Sequence, residues 1–296
     1  GVTHGWAGEM TACRSPILHR VKTHLLLIDP QNDFCDLPPA WCPPGEAPAL
    51  PVAGAHADLQ RVAALIDAAG TRLDAITVTL DSHLRLDIAH PGFWQTGGGA
   101  PVPPFTAITA AQLRAGDFRP RDASALPQAL AYVDELEARG RYTLMVWPVH
   151  CEIGSWGQAV HAEVRAAYNR WEEATQRSVQ RVVKGSNPWT EHYSAVMAEV
   201  PRDDDPGTQL NQALIAQLAR ADRLLIAGEA SSHCVRATTE HLADHLGGDL
   251  SRVWLLEDGM SPVAGFEREA AAFLDAMRSR GLRTLSCAQA LAALAG

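Results

Sequence analysis

The chain has 296 residues, of which 47% are hydrophobic and 20% charged, and its formal net charge is −9. That length suffices for one large α/β domain with a substantial core, or for two small domains. The acidic balance, with no run of Lys or Arg, excludes a nucleic-acid or anionic-membrane surface as the main working face.

The first strand is predicted at about 24–29, where LLLI leads into Asp29. A Pro-, Gly- and Ala-rich loop (36–54) precedes a helix near 56–69, whose apolar residues recur at helical spacing before a terminal Gly. The second strand, about 74–80, leads into Asp81. Residues 84–121 are rich in Pro and Gly and weakly patterned, which predicts a long functional loop or lid. A helix near 125–139 leads to a third strand, 142–147, then to Pro148, Val149 and His150. Helix 155–174 and strand 178–183 follow, the latter ending on Lys184. Helices near 190–199 and 208–220 flank the acidic turn PRDDDPG. Strand 222–227 runs into a short polar turn and Cys234, at the head of a helix from about 232 to 246. Strand RVWLLED, helix 265–280, a short strand (282–285) and a terminal helix complete the chain.

Short, continuous apolar runs alternating with helices predict strands buried on both faces of a mainly parallel sheet. The expected architecture is a single doubly wound α/β domain, with a six-stranded sheet flanked by helices. It would span 21–296, preceded by an N-terminal extension (1–20) and interrupted by a long loop insertion at about 95–140. In such sheets ligands bind outside the carboxyl ends of the strands. Asp29, Asp81, His150, Lys184 and Cys234 each follow a predicted strand, so all five are expected at one crevice.

Cys234 is placed at a helix N-terminus, where free N–H groups and the helix dipole favour thiolate and can receive an oxyanion. A thiol nucleophile needs a proton acceptor and a counter-charge; Asp29 and Lys184 supply a carboxylate and an ammonium. Cys13, Cys35, Cys42, Cys151 and Cys287 read as ordinary thiols. Asp81 and His83, two residues apart on extended backbone, point the same way. With His150 they suit a catalytic divalent ion such as zinc, iron or manganese. His90 offers a fourth ligand, while His161, His192, His241 and His245 read as packing or surface residues.

The six cysteines are scattered without CxxC pairs, as in an intracellular protein with reduced thiols. Residues 1–20 lack a signal-peptide core, and no run of about 18 apolar residues could span a membrane. A cytoplasmic enzyme is the expectation.

Taken in order, LLIDPQNDFC, DSH, WPVHCEIGSWGQAVH, KGSNPWTEHYSAV and GEASSHCVRAT resemble the motifs of the isochorismatase-like cysteine hydrolases, nicotinamidase/pyrazinamidase branch. The resemblance implies that Asp29, Lys184 and Cys234 are catalytic and that Asp81, His83 and His150 hold a metal, most often zinc. It implies an oxyanion hole from the N–H groups of Ala230 and Cys234, with a cis Glu229–Ala230 peptide. Phe34 and Trp147 match positions that hold a pyridine ring. The substrate would be nicotinamide or a close aromatic carboxamide such as pyrazinamide, with a larger amide, ureide or carbamoyl compound as the alternative. The chain departs from the pattern at three places. His90 lies one residue further on than the family's fourth ligand. The 95–140 segment is much expanded and offers a lid or a contact in a homo-oligomer. Glu229 and Ser232 replace a common apolar residue and an Asp in the nucleophile turn.

Overall fold

A computed structural model describes residues 20–295; the extension 1–19, with Cys13, lies outside the described residues. In chain order the elements are β1 (Thr23–Ile28), α1 (Ala55–Ala69), β2 (Ala75–Asp81), β3 (Trp94–Thr96), β4 (Thr106–Ile108) and α2 (Ala110–Ala115). Then come β5 (Phe118–Pro120), α3 (Leu126–Arg139), β6 (Leu144–Val146), α4 (Ala162–Thr175), β7 (Gln180–Lys184) and α5 (Gln212–Ala219). The chain closes with β8 (Arg223–Gly228), α6 (Cys234–His245), β9 (Val253–Leu256), α7 (Glu267–Ser279), β10 (Arg283–Leu285) and α8 (Cys287–Leu294).

The central sheet has six strands in the order β10-β9-β8-β1-β2-β7, and every pairing in it is parallel. All residues of β1 and β9 are buried, as unbroken apolar runs require of strands covered on both faces. Helix α1 packs on α4 and α8, and α6 packs on α7, so helices flank the sheet. From β1 the chain winds one way through β2 to β7; from β8 it winds the other way through β9 to β10. The topological switch point therefore lies between β1 and β8, where a crevice opens at the strand ends.

The six strands are not the six most apolar runs. The strand predicted at 142–147 does not join the central sheet beside β2; that edge belongs to β7. Residues 144–146 instead pair antiparallel with β4, outside the central sheet. The short Arg283–Leu285 strand takes the sixth place. Strand β7 accordingly lies at the sheet edge, separated from β8 by β1 and β2.

The 84–121 stretch is not an open loop. Its three strands, joined by β6 from further along the chain, form two antiparallel ribbons, β3/β5 and β4/β6, and with α2 and α3 they enclose a second apolar cluster. Trp94, Ile108, Val133 and Val146 are fully buried there. This cluster explains why 144–146 reads as a core strand: its burial is real, but its partner is the insertion.

The 190–199 helix does not form; that segment runs as bends, with Glu199 N–H donating to Glu191 O at 2.8 Å. Helix α4 starts at Ala162, later than expected, because a 3-10 turn at Trp156–Gln158 occupies the first residues. Helix α5 starts at Gln212, where the Asn211 side chain accepts from Leu214 N–H at 3.1 Å.

Candidate active site

Three strand ends bring a carboxylate, an ammonium and a thiol together. Asp29 follows β1 with φ +46, and its N–H donates to Thr79 O at 3.1 Å. The Thr79 hydroxyl donates back to Asp29 Oδ1 at 2.6 Å, which fixes the carboxylate plane. Lys184 closes β7, and its Nζ lies 2.9 Å from Asp29 Oδ2 and 3.4 Å from Asp81 Oδ1. The same ammonium donates to His192 O at 2.9 Å and sits 3.6 Å from Cys234 Sγ. Cys234 is the first residue of α6, and all three side chains are buried. Lys184 starts from the sheet edge, yet its long side chain spans β2 to reach the switch point.

Burial alone would lower the Lys184 pKa, but the Asp29 and Asp81 carboxylates outweigh it and hold the amine well above its ordinary value. Burial pushes Asp29 up, against the pull of Lys184. Burial also pushes the Cys234 thiol well above its usual range, with the Lys184 ammonium opposing and Asp29 adding to the rise. Desolvation thus opposes, at Cys234, the thiolate that a helix N-terminus favours. A sulfur nucleophile here needs a base, and the Asp29 carboxylate, held against the same Lys184 ammonium that reaches the thiol, is the adjacent one.

The turn between β8 and α6 contains a cis Glu229–Ala230 peptide. Among the described residues, neither Ala230 N–H nor Cys234 N–H has a hydrogen-bond acceptor. Two unspent donors flanking the sulfur are suited to an oxyanion.

Beside the triad, His83, His90 and His150 each offer a ring nitrogen within 4.8 Å of the others, and all three are buried. His150 Nδ1 lies 2.7 Å from Pro148 O, and His90 Nδ1 lies 3.2 Å from Arg85 O. Carbonyl partners at Nδ1 leave His90 Nε2 bare for a ligand and turn His150 Nε2 towards Asp81. Asp81 Oδ2 is 2.8 Å from His83 Nε2 and 3.4 Å from His150 Nε2. Buried His90 Nε2 and His83 Nδ1 have no hydrogen-bond partner among the described residues. Gly185 keeps the space open, since a Cβ there would lie 2.8 Å from Asp81 Oδ1 and 3.3 Å from His83 Cε1. Three imidazoles and a carboxylate fit a divalent ion with zinc-like preferences.

His150 reaches this cluster by a route unlike the expected one. The 150–153 segment bridges His83 in parallel: His83 N–H donates to Cys151 O at 2.9 Å, and Ile153 N–H to His83 O at 3.0 Å. His90, one residue out of the usual spacing, still comes within reach because its loop folds back on Asp87.

A cavity of about 30 Å³ borders Cys234, Asp81 and His150, walled by Phe34, Trp147 and Tyr193. Trp147 Nε1 donates to Tyr193 Oη at 3.0 Å, and Phe105 from the insertion meets the Trp147 ring edge-on. A larger cleft of 340 Å³ lies around Arg20, Lys22 and Arg220, but none of the candidate site residues lines it.

Sequence reasoning missed His233, which lines the cavity and stacks on Tyr142. It also missed Asp87 and Glu191, whose carboxylates gather around His83. Asp87 stands four residues after His83 in an unpatterned stretch, and Glu191 lies in the segment expected to be helical, so neither had a periodic signal. His161, His192 and His241 are buried packing residues, while His245 is exposed.

No protein-family model matches this chain, and no curated protein matches it. Solved structures do. A yeast nicotinamidase is 19% identical, with 89% of this chain and 99% of that one covered, at a TM-score of 0.59. A nicotinamidase/pyrazinamidase of Acinetobacter baumanii is 17% identical, covering 91% and 98%, at 0.58. A pyrazinamidase of Pyrococcus horikoshii, in complex with zinc, is 18% identical, covering 90% and 99%, at 0.51. The likeness runs through nearly the whole length of each of these structures, and this chain has the nicotinamidase/pyrazinamidase fold.

Proposed function

We propose that the chain is a metal-dependent cysteine amidohydrolase that converts nicotinamide, or a close aromatic carboxamide such as pyrazinamide, to the acid plus ammonia. The observation that carries this reading is the meeting of Cys234 Sγ, Lys184 Nζ and Asp29 Oδ2 beside an aromatic-walled cavity. Asp29 takes the thiol proton while Lys184 holds the negative charge that results. The sulfur then attacks the carboxamide carbon, and the N–H groups of Ala230 and Cys234 receive the oxyanion. The C–N bond breaks as Asp29 returns its proton to the leaving nitrogen, giving ammonia and a thioester. Asp29 next deprotonates a water that attacks the thioester; the C–S bond breaks, the acid leaves and Cys234 regains its proton.

Asp81, His83, His150 and His90 are the residues that would hold a divalent ion, zinc by analogy with the similar zinc-bound pyrazinamidase. When bound, that ion supplies a Lewis-acidic anchor for a ring nitrogen. Phe34 and Trp147 bind the flat ring between their faces. The cavity holds about as much as one water molecule takes up in the liquid. Any substrate therefore enters by displacing side chains, and a flat ring demands less displacement than a bulky amide or ureide.

An ammonia-release assay over nicotinamide, pyrazinamide and bulkier amides tests this reading. The highest kcat/KM is expected for the pyridine and pyrazine carboxamides; a preference for a ureide or carbamoyl compound would overturn the assignment. Stripping divalent metal with a chelator is expected to raise KM by about tenfold or more, with a smaller change in kcat, as loss of an anchoring contact does. A metal-free sample with unchanged KM would contradict the anchoring role.

A further inference from the structure

The residue before the oxyanion turn is an acid with no cation beside it. Glu229 is wholly buried, and so, to 2% exposure, is Asp58 on α1. The two carboxyls converge on Ser261, one on its N–H and the other on its hydroxyl, which brings them side by side. Glu229 Oε2 accepts from Ser261 N–H at 3.0 Å, while Oε1 has no donor among the described residues. Asp58 Oδ2 accepts from the Ser261 hydroxyl at 2.6 Å, and Oδ1 accepts from the half-exposed Arg61 at 3.0 Å. Every donor that reaches this pair is thus spent on one oxygen or another, and the contact between the carboxyls lacks a hydrogen. Two touching buried carboxylates cannot both be ionised, so a proton belongs between them.

The surroundings reinforce this. Asp36 adds further negative charge, the buried Cys35 and Cys287 thiols add none, and Asp258 lies beyond Arg61. Arg61 is the cation that faces the pair, and it lies on the Asp58 side. Burial first, then Asp58, holds the Glu229 carboxyl well above the usual range. Glu229 has the unpartnered oxygen, Oε1, and Arg61 favours the charge on Asp58, so the shared proton is placed on the Glu229 side.

The pair also ties three segments to one another. Ser261, held by both carboxyls, accepts from Ser231 N–H at 2.9 Å through its carbonyl. Two residues on, Val263 N–H donates to Ser232 Oγ at 3.0 Å, and Val263 lines the cavity. Helix α1, the 261–263 segment and the turn 229–234 are therefore pinned at one junction, next to the two unspent N–H groups.

We propose that Glu229 and Asp58 form a carboxyl–carboxylate pair sharing one proton, and that this pair is a positioning device for the Ala230–Cys234 oxyanion turn. Its kinetic consequence rests on the amidohydrolase reading; its existence does not. The unfolded carboxyls release their protons near pH 4. A folded pKa raised above that value means that the stability contributed is fully present below about pH 4 and is lost as pH rises through the folded pKa.

The test compares wild type, Glu229→Gln and Glu229→Leu. Infrared difference spectra between wild type and Glu229→Gln at neutral pH should show a protonated carboxyl C=O band. Glu229→Gln, with a permanent donor, should flatten the fall of Tm with rising pH. In turnover, wild type should lose kcat on the alkaline side with little change in KM, because the turn matters when the oxyanion forms. Glu229→Gln should remove that limb, and Glu229→Leu should lower kcat by about tenfold or more at every pH, since oxyanion donors carry factors of that size or larger. Absence of the carboxyl band overturns the pair. A band with superimposable kcat–pH profiles for wild type and Glu229→Gln overturns the positioning role. Because the band and the Tm profile need no substrate, failure of the amidase reading would be recognised separately from failure of the pair.

Discussion

Cys234→Ala should cut ammonia release on the order of 10⁴-fold or more while the protein stays folded, because covalent catalysis disappears with the sulfur and its partners cannot substitute for it. In the proposed mechanism Asp29 and Lys184 act on the thiol proton and the charge that its removal creates; without the thiol they have nothing to activate. The fold should survive because the substitution removes one buried sulfur atom at the edge of an existing cavity, a loss of about 1 kcal/mol. Circular dichroism and melting measured beside the ammonia assay check both halves. Residual turnover within tenfold of wild type would sink the nucleophile assignment.

Gly228→Ala is expected to do the opposite, removing activity by removing the fold. Gly228 pairs with Ile28 in the β1–β8 register and has φ +127, a region that L side chains rarely adopt. A Cβ there would overlap the Ile28 carbonyl oxygen and lie 2.6 Å from the Ile28 nitrogen. These are backbone atoms of a fully buried central strand, so no side chain can swing aside to relieve the clash. The expected loss exceeds about 4 kcal/mol, in the range reserved for severe core or backbone disruption. Gly45→Ala is the control: its φ is +79, but nothing lies within 4 Å of a Cβ there, so the cost should be near 1 kcal/mol. Denaturant titration of both variants measures the contrast. A soluble Gly228→Ala protein within about 1 kcal/mol of wild type would contradict the close approach of β1 and β8.

The strand ends were legible because a parallel sheet puts the last residue of each buried apolar run on one edge. Asp29, Asp81 and the turn to Cys234 each stand directly after such a run, Lys184 ends the largely exposed edge strand β7, and the structure gathers them. The 144–146 run carried the same apolar signal and was misplaced. Apolarity reports that a strand is buried, not what covers it, and here the cover is the insertion's own core. The 190–199 segment shows a related limit: it has apolar residues at helical spacing, yet its backbone groups bond to other loops, including Ala198 N–H to Thr208 O at 3.1 Å. The desolvation of the Cys234 thiol lay beyond sequence reasoning too, because a helix N-terminus can be read from a pattern whereas the dryness around Cys234 cannot.

The sequence by itself determined the alternation of buried strands with helices, and hence a common edge with Asp29, Lys184 and Cys234 upon it. Local rules suffice for that much, since strand period, helix period and turn residues are properties of neighbouring positions. Tertiary structure alone decided that β8 lies against β1, that β7 closes the sheet, and that His90 joins His83 and His150. It alone set Glu229 against Asp58. Those outcomes depend on which distant groups share a dry space, where desolvation and charge pairing act across the fold and leave no periodic trace along the chain.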